Sequence, residues 1–239
     1  MPESRCAAVV TAAGASTRMG GAAKKEFRSL GGVPVLALAI RPFLSAGFER
    51  IVVTLPAGRL GNASALLAPF LDVATLTLVE GGATRQESVR LGLRALADDP
   101  PDLVLIHDGA RPWLAPALLA CVAEAAERFG ACVPVVEVTE AVKEVGEEPG
   151  GGTDGTAAAP GDAQLVLRHL PRRHLRFAQT PQGFSYPRIV AAHERARAEG
   201  LSFVDDAEVF DRFAGPVAWV PGDPSNRKIT FSDDLEEAP

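Results

Sequence analysis

The chain contains 239 residues, 47% of them hydrophobic and 23% charged, an ordinary composition for a globular protein with a sizeable core. Its formal net charge of −6 argues against a general binder of nucleic acids or of anionic membranes. The three cysteines form neither a zinc spacing nor a disulfide framework. No apolar run approaches the roughly 20 residues of a membrane span, and no secretory signal is recognisable. We therefore expect a cytoplasmic protein with reduced thiols.

Short apolar runs alternate with helical patterns along the first part of the chain. The runs predict buried parallel strands at Cys6–Thr11, Arg50–Leu55, Thr75–Val79, Leu103–His107 and Ala131–Val136. Apolar residues at helical spacing predict helices at Val35–Ser45, Leu60–Phe70, Thr84–Leu96 and Leu114–Phe129. This alternation predicts an α/β fold with a doubly wound, mostly parallel sheet. Ligands of such sheets bind beyond the carboxyl ends of the strands. The loops to inspect are therefore Ala12–Phe27, Glu80–Ser88 and His107–Pro112.

The alternation stops after Val136. We interpret residues 1–239 as one catalytic domain in which residues 137–176 form a protruding β-arm. Two strand-like pieces, Val138–Val145 and Gln164–Leu167, flank a Gly/Pro/Ala-rich tip at residues 147–162, which has no periodicity and little to bury. The chain then continues with a predicted helix at Pro187–Glu199, an acidic turn at Asp205–Asp206 and a strand at Val217–Val220.

The first strand is followed by a loop of small residues, Ala12–Ala15, with Arg18 and Lys25 further along. Small residues allow backbone N–H groups to approach phosphates closely, and the two cations would then supply charge to a triphosphate. The pattern is neither a Walker loop nor a dinucleotide-binding glycine motif. A glycine- and alanine-rich turn with a solvated basic tail is the equally simple alternative.

Two further loops carry candidate site residues. After the third strand, Gly82 and Ser88 are placed to touch a base or ribose, although most such loops only cap the following helix. After the fourth strand, Asp108 is suited to hold Mg²⁺ against phosphates, and Arg111 to clamp a substrate phosphate. A structural ion pair between these two residues is the alternative. We interpret His107 as a core histidine at the end of the strand.

Five motifs occur together in a specific order. They are Ala-Ala-Gly-x-x-x-Arg-Met, Gly-Gly followed by Arg-x-x-Ser-Val, His-Asp-x-Ala-Arg-Pro, Gln-Thr-Pro-Gln and Asn-x-Lys-x-Thr. In this order they resemble the 2-C-methyl-D-erythritol 4-phosphate cytidylyltransferases of the non-mevalonate isoprenoid pathway. The resemblance runs from about Arg5 to Leu235. It implies a nucleotide-diphospho-sugar-transferase-like Rossmann variant, a reaction of CTP and Mg²⁺ with a polyol phosphate, and a homodimer formed through the arm.

The resemblance also implies a role for each matching residue. Arg18 and Lys25 match the pair that neutralises the CTP phosphates and stabilises the transition state. Arg172 and Lys228 match catalytic groups that also bind the substrate phosphate together with Arg111. The nucleotide contacts match Ala12, Ala13, Gly14, Ala15, Gly82, Ser88, Asp108 and Gly109, with Asp108 as the carboxylate on the metal side.

Two departures from the family pattern concern the substrate. Ala141 stands where the family usually has a threonine that touches the substrate, so Thr139 is the candidate to supply that hydroxyl. Arg176 stands where the family tends to have tryptophan. A ribitol 5-phosphate cytidylyltransferase is therefore the nearest alternative. A sugar-1-phosphate nucleotidyltransferase and a non-catalytic nucleotide sensor are more distant alternatives.

Overall fold

In the computed structural model, which describes residues 4–14, 25–146, 166–231 and 234, the chain divides into two compact units. The first unit comprises Met1–Val135 and Ala178–Pro239, and the second comprises Val136–Phe177. The bounds of the second unit lie close to those of the predicted arm, 137–176. That this segment protrudes stays a prediction, and the predicted tip at residues 147–162 lies outside the described residues.

Twelve strands and six helices occur in the described part of the chain. The strands are β1 (Cys6–Thr11), β2 (Ser29–Leu30), β3 (Val33–Pro34), β4 (Ile51–Leu55), β5 (Leu76–Glu80), β6 (Leu103–Asp108), β7 (Ala131–Glu137), β8 (Val142–Val145), β9 (Val166–Leu170), β10 (Arg176–Ala178), β11 (Gln182–Ser185) and β12 (Ala218–Pro221). The helices are α1 (Val35–Ser45), α2 (Leu60–Leu67), α3 (Arg85–Arg94), α4 (Pro116–Phe129), α5 (Tyr186–Ala198) and α6 (Asp206–Phe213). Short 3₁₀ helices lie at Lys25–Phe27, Val73–Thr75 and Arg172–His174.

The central sheet of the first unit has the strand order β7-β11-β6-β1-β4-β5, with β12 beside β7. Strands β6, β1, β4 and β5 run parallel to one another, as predicted. Strand β11 was not predicted, and it pairs antiparallel with both β6 and β7. The sheet is therefore mixed but mostly parallel, and the α/β fold is confirmed.

Apolar side chains cover both faces of this sheet. On one face Leu36 and Phe43 of α1 belong to the same core cluster as Val10 of β1. On the other face Val89 of α3 lies in a cluster with Val9, the neighbour of Val10 in the same strand. Successive residues of a strand point to opposite faces, so a run of apolar residues needs helices on both sides. This is why the uninterrupted apolar strands of the sequence predict a doubly wound sheet.

The predicted acidic turn at Asp205–Asp206 is wrong, because these residues begin helix α6. Asp205 is its N-cap, and its Oδ1 accepts a hydrogen bond from the Glu208 N–H at 2.9 Å. Glu208 in turn accepts a hydrogen bond from the backbone N–H of Val204 at 2.8 Å. Such reciprocal caps satisfy N–H groups that a helix start leaves without partners.

The second unit contains an antiparallel pair formed by β8 and β9. Its strands overlap the two predicted strand-like pieces, but β8 begins at Val142 rather than Val138. None of the helices in the described ranges combines the length and apolar character needed to cross a membrane.

Candidate active site

The candidate loops of the first unit meet at one edge of the sheet. Thr11, the last residue of β1, is in register with Thr54 of β4 and with Asp108, the last residue of β6. The strands run parallel, so the loops that follow them leave from the same edge. Backbone hydrogen bonds join these loops, with the Gly109 N–H donating to the carbonyl of Thr11 at 2.9 Å.

Two glycines are required where these loops approach one another. A Cβ added to Gly81 would lie 2.3 Å from the Cβ of Ala13, closer than real side chains come. A Cβ on Gly109 would lie 2.9 Å from the carbonyl oxygen of Thr11 and from a methyl group of Leu36. The predicted phosphate loop at residues 12–14 is thus packed closely against the loop that leads to Gly82. Ala15 and Arg18 lie outside the described residues.

Three cations surround the carboxylate of Asp108, and we call these four residues the strand-end cluster. Lys228 Nζ lies 2.8 Å from Oδ2 and Arg111 Nε 3.7 Å from the same oxygen. On the other side Arg85 Nε donates a hydrogen bond to Oδ1 at 3.2 Å. Asp108 is only 6% exposed. The structure therefore brings together Asp108, Arg111 and Lys228, which the sequence analysis had selected from distant motifs.

The electrostatics of the cluster keep Asp108 charged. Burial acts to raise the pKa of this carboxyl, but the charges of Arg85, Lys228 and Arg111 outweigh burial and hold the pKa well below its usual range. The pKa of Arg85 is raised, because the attraction of Asp206 and Asp108 exceeds the opposing effect of burial. A charged carboxylate with several cations forms a compact, largely buried group at the end of β6.

Arg85 is a site residue that was not predicted from the sequence. Its Nη1 atom donates a hydrogen bond to Asp206 Oδ2 at 2.7 Å, while its Nε atom holds Asp108. Asp206 is 1% exposed and also lies 3.2 Å from Nε2 of the buried His193. The Arg in the motif Arg-x-x-Ser-Val was a visible signal. Its partner Asp206 was assigned to a turn and is 121 residues away.

His107 is fully buried, as predicted, and joins β6 to the segment before β11. Its Nδ1 atom lies 3.0 Å from the hydroxyl of Thr180, which accepts a hydrogen bond from the Asp108 N–H. Its Nε2 atom lies 3.2 Å from the carbonyl of Arg111. These partners suit a neutral ring with the proton on Nε2, and burial lowers the pKa of His107 to about 4. His107 thus fixes the backbone on both sides of Asp108.

Lys25 belongs to the same edge through the segment Asn226–Thr230. Its Nζ atom donates a hydrogen bond to the carbonyl of Ile229 at 2.7 Å, and Lys25 is 8% exposed. The Ile229 N–H donates to the carbonyl of Ala110, and Arg111 Nη1 donates to the carbonyl of Asn226 at 2.7 Å. The segment that carries Lys228 therefore links the predicted catalytic lysine to the loop after β6.

The Ser88 hydroxyl forms hydrogen bonds with the backbone of the loop that precedes it. It accepts a hydrogen bond from the Gly82 N–H at 3.1 Å and donates one to the carbonyl of Thr84 at 2.8 Å. Thr84 caps α3 by accepting a hydrogen bond from the Glu87 N–H. Ser88 thus sets the shape of the loop, and the contacts of Gly82 and Ser88 with a nucleotide stay a prediction.

The second unit has a cavity of its own, about 460 Å³ in volume, which we call the arginine cavity. Its lining residues are Glu137, Val138, Thr139, Arg172, Arg173 and Arg176. Arg172 Nη1 donates a hydrogen bond to the backbone carbonyl of Thr139 at 2.6 Å. The two predicted substrate residues of this unit therefore lie together, and Arg176, which replaces the usual tryptophan, adds a further positive charge to the same cavity.

The sequence of this chain matches the model of a known protein family. The model of the family described as IspD, 2-C-methyl-D-erythritol 4-phosphate cytidylyltransferase, matches residues 6–239. The chain belongs to this family.

The relatives and solved structures that match this chain align with nearly all of its length. The bifunctional enzyme IspD/IspF of Nitrobacter winogradskyi is 38% identical over 242 residues, which cover 100% of this chain and 56% of that protein. The relative from Bradyrhizobium is also 38% identical and is covered to 56%. This chain thus spans about half the length of the curated relatives it matches.

Two crystal structures have lengths similar to that of this chain. The 2-C-methyl-D-erythritol 4-phosphate cytidylyltransferase of Thermus thermophilus is 34% identical, with a TM-score of 0.70, and 96% of this chain and 95% of that one are covered. The 4-diphosphocytidyl-2C-methyl-D-erythritol synthase of Anaerococcus prevotii is 25% identical, with a TM-score of 0.77 and coverage of 97% and 92%.

Binding of Mg²⁺ at this IspD-type site would depend on a single carboxylate. Within the described ranges no group of three or more His, Cys, Asp or Glu residues could hold a metal ion without help. Mg²⁺ commonly uses one or two carboxylates and takes its remaining ligands from substrate phosphates and water. Asp108 fits that pattern, provided that the nucleotide supplies the phosphate oxygens.

Proposed function

We propose that this protein transfers CMP from CTP to 2-C-methyl-D-erythritol 4-phosphate, with release of pyrophosphate, as a step of isoprenoid precursor biosynthesis. The product would be 4-diphosphocytidyl-2-C-methyl-D-erythritol. The observation that carries this proposal is the strand-end cluster, in which Lys228, Arg111 and Arg85 converge on Asp108 at the carboxyl edge of the parallel strands. Membership of the IspD family over residues 6–239 supports the same activity.

The reaction needs no covalent intermediate. A phosphate oxygen of the polyol phosphate attacks the α-phosphorus of CTP in line, a new P–O bond forms, and the bond to the β-phosphate oxygen breaks. Negative charge grows on the α-phosphate oxygens and on the leaving pyrophosphate. A phosphate dianion is already a nucleophile near neutral pH, so positioning and charge stabilisation account for catalysis.

In this proposal different residues of the first unit bind the two substrates. Lys25, with Arg18, stabilises the charge that develops on the CTP phosphates. Lys228 and Arg111 hold the attacking phosphate, and both are already oriented by Asp108. Preorganised cations in a largely buried site need little rearrangement during the reaction.

We also propose that Mg²⁺ accompanies CTP, with Asp108 as its carboxylate ligand. The ion would neutralise phosphate charge and so weaken the bond to the leaving group. The charges of Arg85, Lys228 and Arg111 keep Asp108 ionised, and Mg²⁺ would have to bind beside them at carboxylate oxygens that these cations already contact.

The arginine cavity supports recognition of an anionic substrate group. Arg172, Arg173 and Arg176 line it, and a guanidinium fork matches the oxygens of a phosphate. We infer that Arg172 grips the phosphate of the polyol substrate and that the Thr139 hydroxyl takes the place of the threonine missing at position 141.

Ribitol 5-phosphate is the second candidate substrate, because Ala141 removes a hydroxyl that the family usually offers. The deciding assay follows pyrophosphate release with CTP, Mg²⁺ and each polyol phosphate in turn. We expect turnover with 2-C-methyl-D-erythritol 4-phosphate to exceed that with ribitol 5-phosphate. The reverse preference would overturn the substrate assignment but not cytidylyl transfer, whereas CTP binding without pyrophosphate release would identify a nucleotide sensor.

We further infer a cytoplasmic homodimer that associates through the Val136–Phe177 unit. Four of its large apolar side chains are 45–65% exposed, namely Val145, Val166, Leu167 and Phe177. Val145 and Val166 are paired across the two strands, and contiguous exposed apolar side chains are typical of surfaces that associate. Sedimentation should therefore give a dimer, and removal of Val138–Leu175 should damage both dimerisation and activity. Shortening Gly150–Pro160 should be nearly harmless, because closure entropy depends only weakly on loop length. An active monomer would contradict the inference.

A further inference from the structure

A chain of polar contacts extends from Asp108 into the layer of helices behind the sheet. Asp108 accepts a hydrogen bond from Arg85, and Arg85 donates a second one to Asp206 at 2.7 Å. Asp206, the first residue of α6, lies 3.2 Å from Nε2 of His193 in α5. Four residues from three helices and one strand are thus connected in series.

The inner end of this chain is deeply buried. His193 and Asp206 are each 1% exposed. His193 Nε2 lies at ion-pair distance from Asp206, but neither ring nitrogen of His193 has a hydrogen-bond partner within the described residues. A buried polar ring costs free energy unless a specific contact compensates it, so an apolar residue would suit simple packing better.

Asp206 stays ionised in this environment. Burial acts to raise the pKa of its carboxyl, but the charge of Arg85 and the contact with His193 lower it below the usual value. The carboxylate therefore attracts Arg85 at full charge. Arg85 is held from both ends, by Asp206 on one side and by Asp108 on the other.

From this geometry we propose that His193 and Asp206 are positioning residues, which fix Arg85 and through it the orientation of the Asp108 carboxylate. The proposal rests on the proposed function for its effect on turnover, but its structural part does not depend on any substrate. Carboxylates that approach a metal or phosphate are commonly oriented by an outer layer of hydrogen bonds.

The structural part is tested by a double-mutant cycle in urea unfolding. The variants are His193→Leu, Asp108→Asn and the two combined. The side-chain contacts described above connect His193 with Asp108 through Asp206 and Arg85. Without such a connection, the effects of the two substitutions would be additive. We expect the effect of His193→Leu on the unfolding equilibrium constant to differ about threefold or more between the wild-type protein and the Asp108→Asn variant. If Asp108→Asn fails to fold, Lys228→Met replaces it, because Lys228 contacts the same carboxylate.

The functional part is tested by steady-state kinetics with CTP and the polyol phosphate. Loss of outer-layer partners typically costs about 10- to 100-fold in activity or metal affinity. We expect His193→Leu to lower kcat at least tenfold by that estimate and to raise the Mg²⁺ concentration that gives half the maximal rate. His193→Gln, whose amide nitrogen can take the place of Nε2, should restore most of the rate.

The matched control is Glu208→Gln, which removes an acidic residue from the first turn of α6 without touching Arg85. It should leave kcat and the Mg²⁺ requirement unchanged. Additive unfolding effects, or a His193→Gln variant no better than His193→Leu, would overturn the proposal. If the unfolding effects are coupled but the wild-type protein releases no pyrophosphate, the proposed function is overturned and the structural part of the proposal stands.

Discussion

The cations of the strand-end cluster and those of the arginine cavity are compensated in different ways. In the cluster, Arg85, Arg111 and Lys228 all face the carboxylate of Asp108. In the cavity, among the described residues, Arg172 and Arg176 bond to backbone carbonyls and neither is paired with a carboxylate. A charge that is already paired is oriented before a ligand arrives, whereas an unpaired charge is left to attract an external anion. The first arrangement suits precise orientation of the attacking phosphate, and the second suits attraction of an anion from solution.

The largest expected effect is a loss of turnover at two cations of the first unit that we assign to the CTP phosphates and that are not members of the strand-end cluster. Lys25→Ala and Arg18→Ala should each lower turnover by about 100- to 1,000-fold, because removal of one preorganised donor to the developing charge costs that much. Thermal unfolding should remain cooperative. The control is Arg41→Ala, an exposed cation on α1, which should leave turnover unchanged. Near-normal turnover in a folded Lys25→Ala protein would remove Lys25 from the catalytic set.

A smaller effect is expected for binding of the substrate phosphate. Lys228→Ala should raise the KM for the polyol phosphate by about 10- to 100-fold, since a hydrogen bond to a charged group is worth roughly 1.5–3 kcal/mol. The KM for CTP should change less. Arg172→Lys should also raise the KM for the polyol phosphate, because a point charge cannot replace a planar fork. Equal changes for both substrates would mean that these residues serve the nucleotide instead.

A pH effect on stability is expected from His107, the buried histidine next to Asp108 of the strand-end cluster. His107 has a folded pKa of about 4 because of burial, below the ordinary value near 6.5. Between these values the unfolded chain binds a proton that the folded one does not, so stability is lost as the pH falls. Lowering the pH from 7.5 to 5 should cost about 2 kcal/mol of unfolding free energy from this group.

Urea unfolding at both pH values measures this difference in the wild type and in His107→Asn. The variant should show a smaller loss on acidification, because the titrating ring is gone while a polar partner for Thr180 remains. An equal loss in both proteins would exclude His107 as the cause.

The smallest effect concerns substrate choice in the second unit. Ala141→Thr restores the hydroxyl that the family usually has, and a neutral hydrogen bond contributes about 0.5–1.5 kcal/mol, roughly two- to tenfold in KM. We expect a lower KM for 2-C-methyl-D-erythritol 4-phosphate, with little change for ribitol 5-phosphate. Thr139→Val in the same background tests whether residue 139 supplied the hydroxyl. An unchanged KM in both variants would show that neither hydroxyl contacts the substrate.

Elements with a strong local pattern could be predicted from the sequence. The apolar run of β1 and the spacing of α1 gave their observed bounds without error. Strand β11 was missed because Gln182–Ser185 is only four residues long and follows a proline, with no alternation to reveal it. Helix α6 was missed although Asp205 and Glu208 form a recognisable capping pattern.

The site residues, too, could be predicted only where a local sequence motif marked them. Asp108 and Lys228 were selected because each lies in a recognisable motif, and their contact at 2.8 Å follows from the fold. The contact of Arg85 with Asp206 joins residues 121 positions apart, and nothing in the local sequence of either one indicates the other. Pairings of that kind are decided by helix packing on the finished sheet, after local preferences have acted.

The close approach of Gly81 and Ala13 has a consequence for how this chain can vary. A Cβ at position 81 would lie 2.3 Å from the Cβ at position 13 and 2.8 Å from Ser88 Oγ, so positions 13 and 81 cannot both carry a methyl group. In a library randomised at both positions, we expect functional clones to carry glycine in at least one of them. A Gly81→Ala substitution should need both Ala13→Gly and a shift of the Ser88 hydroxyl, which would otherwise lie 2.8 Å from the new Cβ. Substitutions at positions 13 and 81, which lie in loops far apart in sequence, are therefore expected to depend on each other.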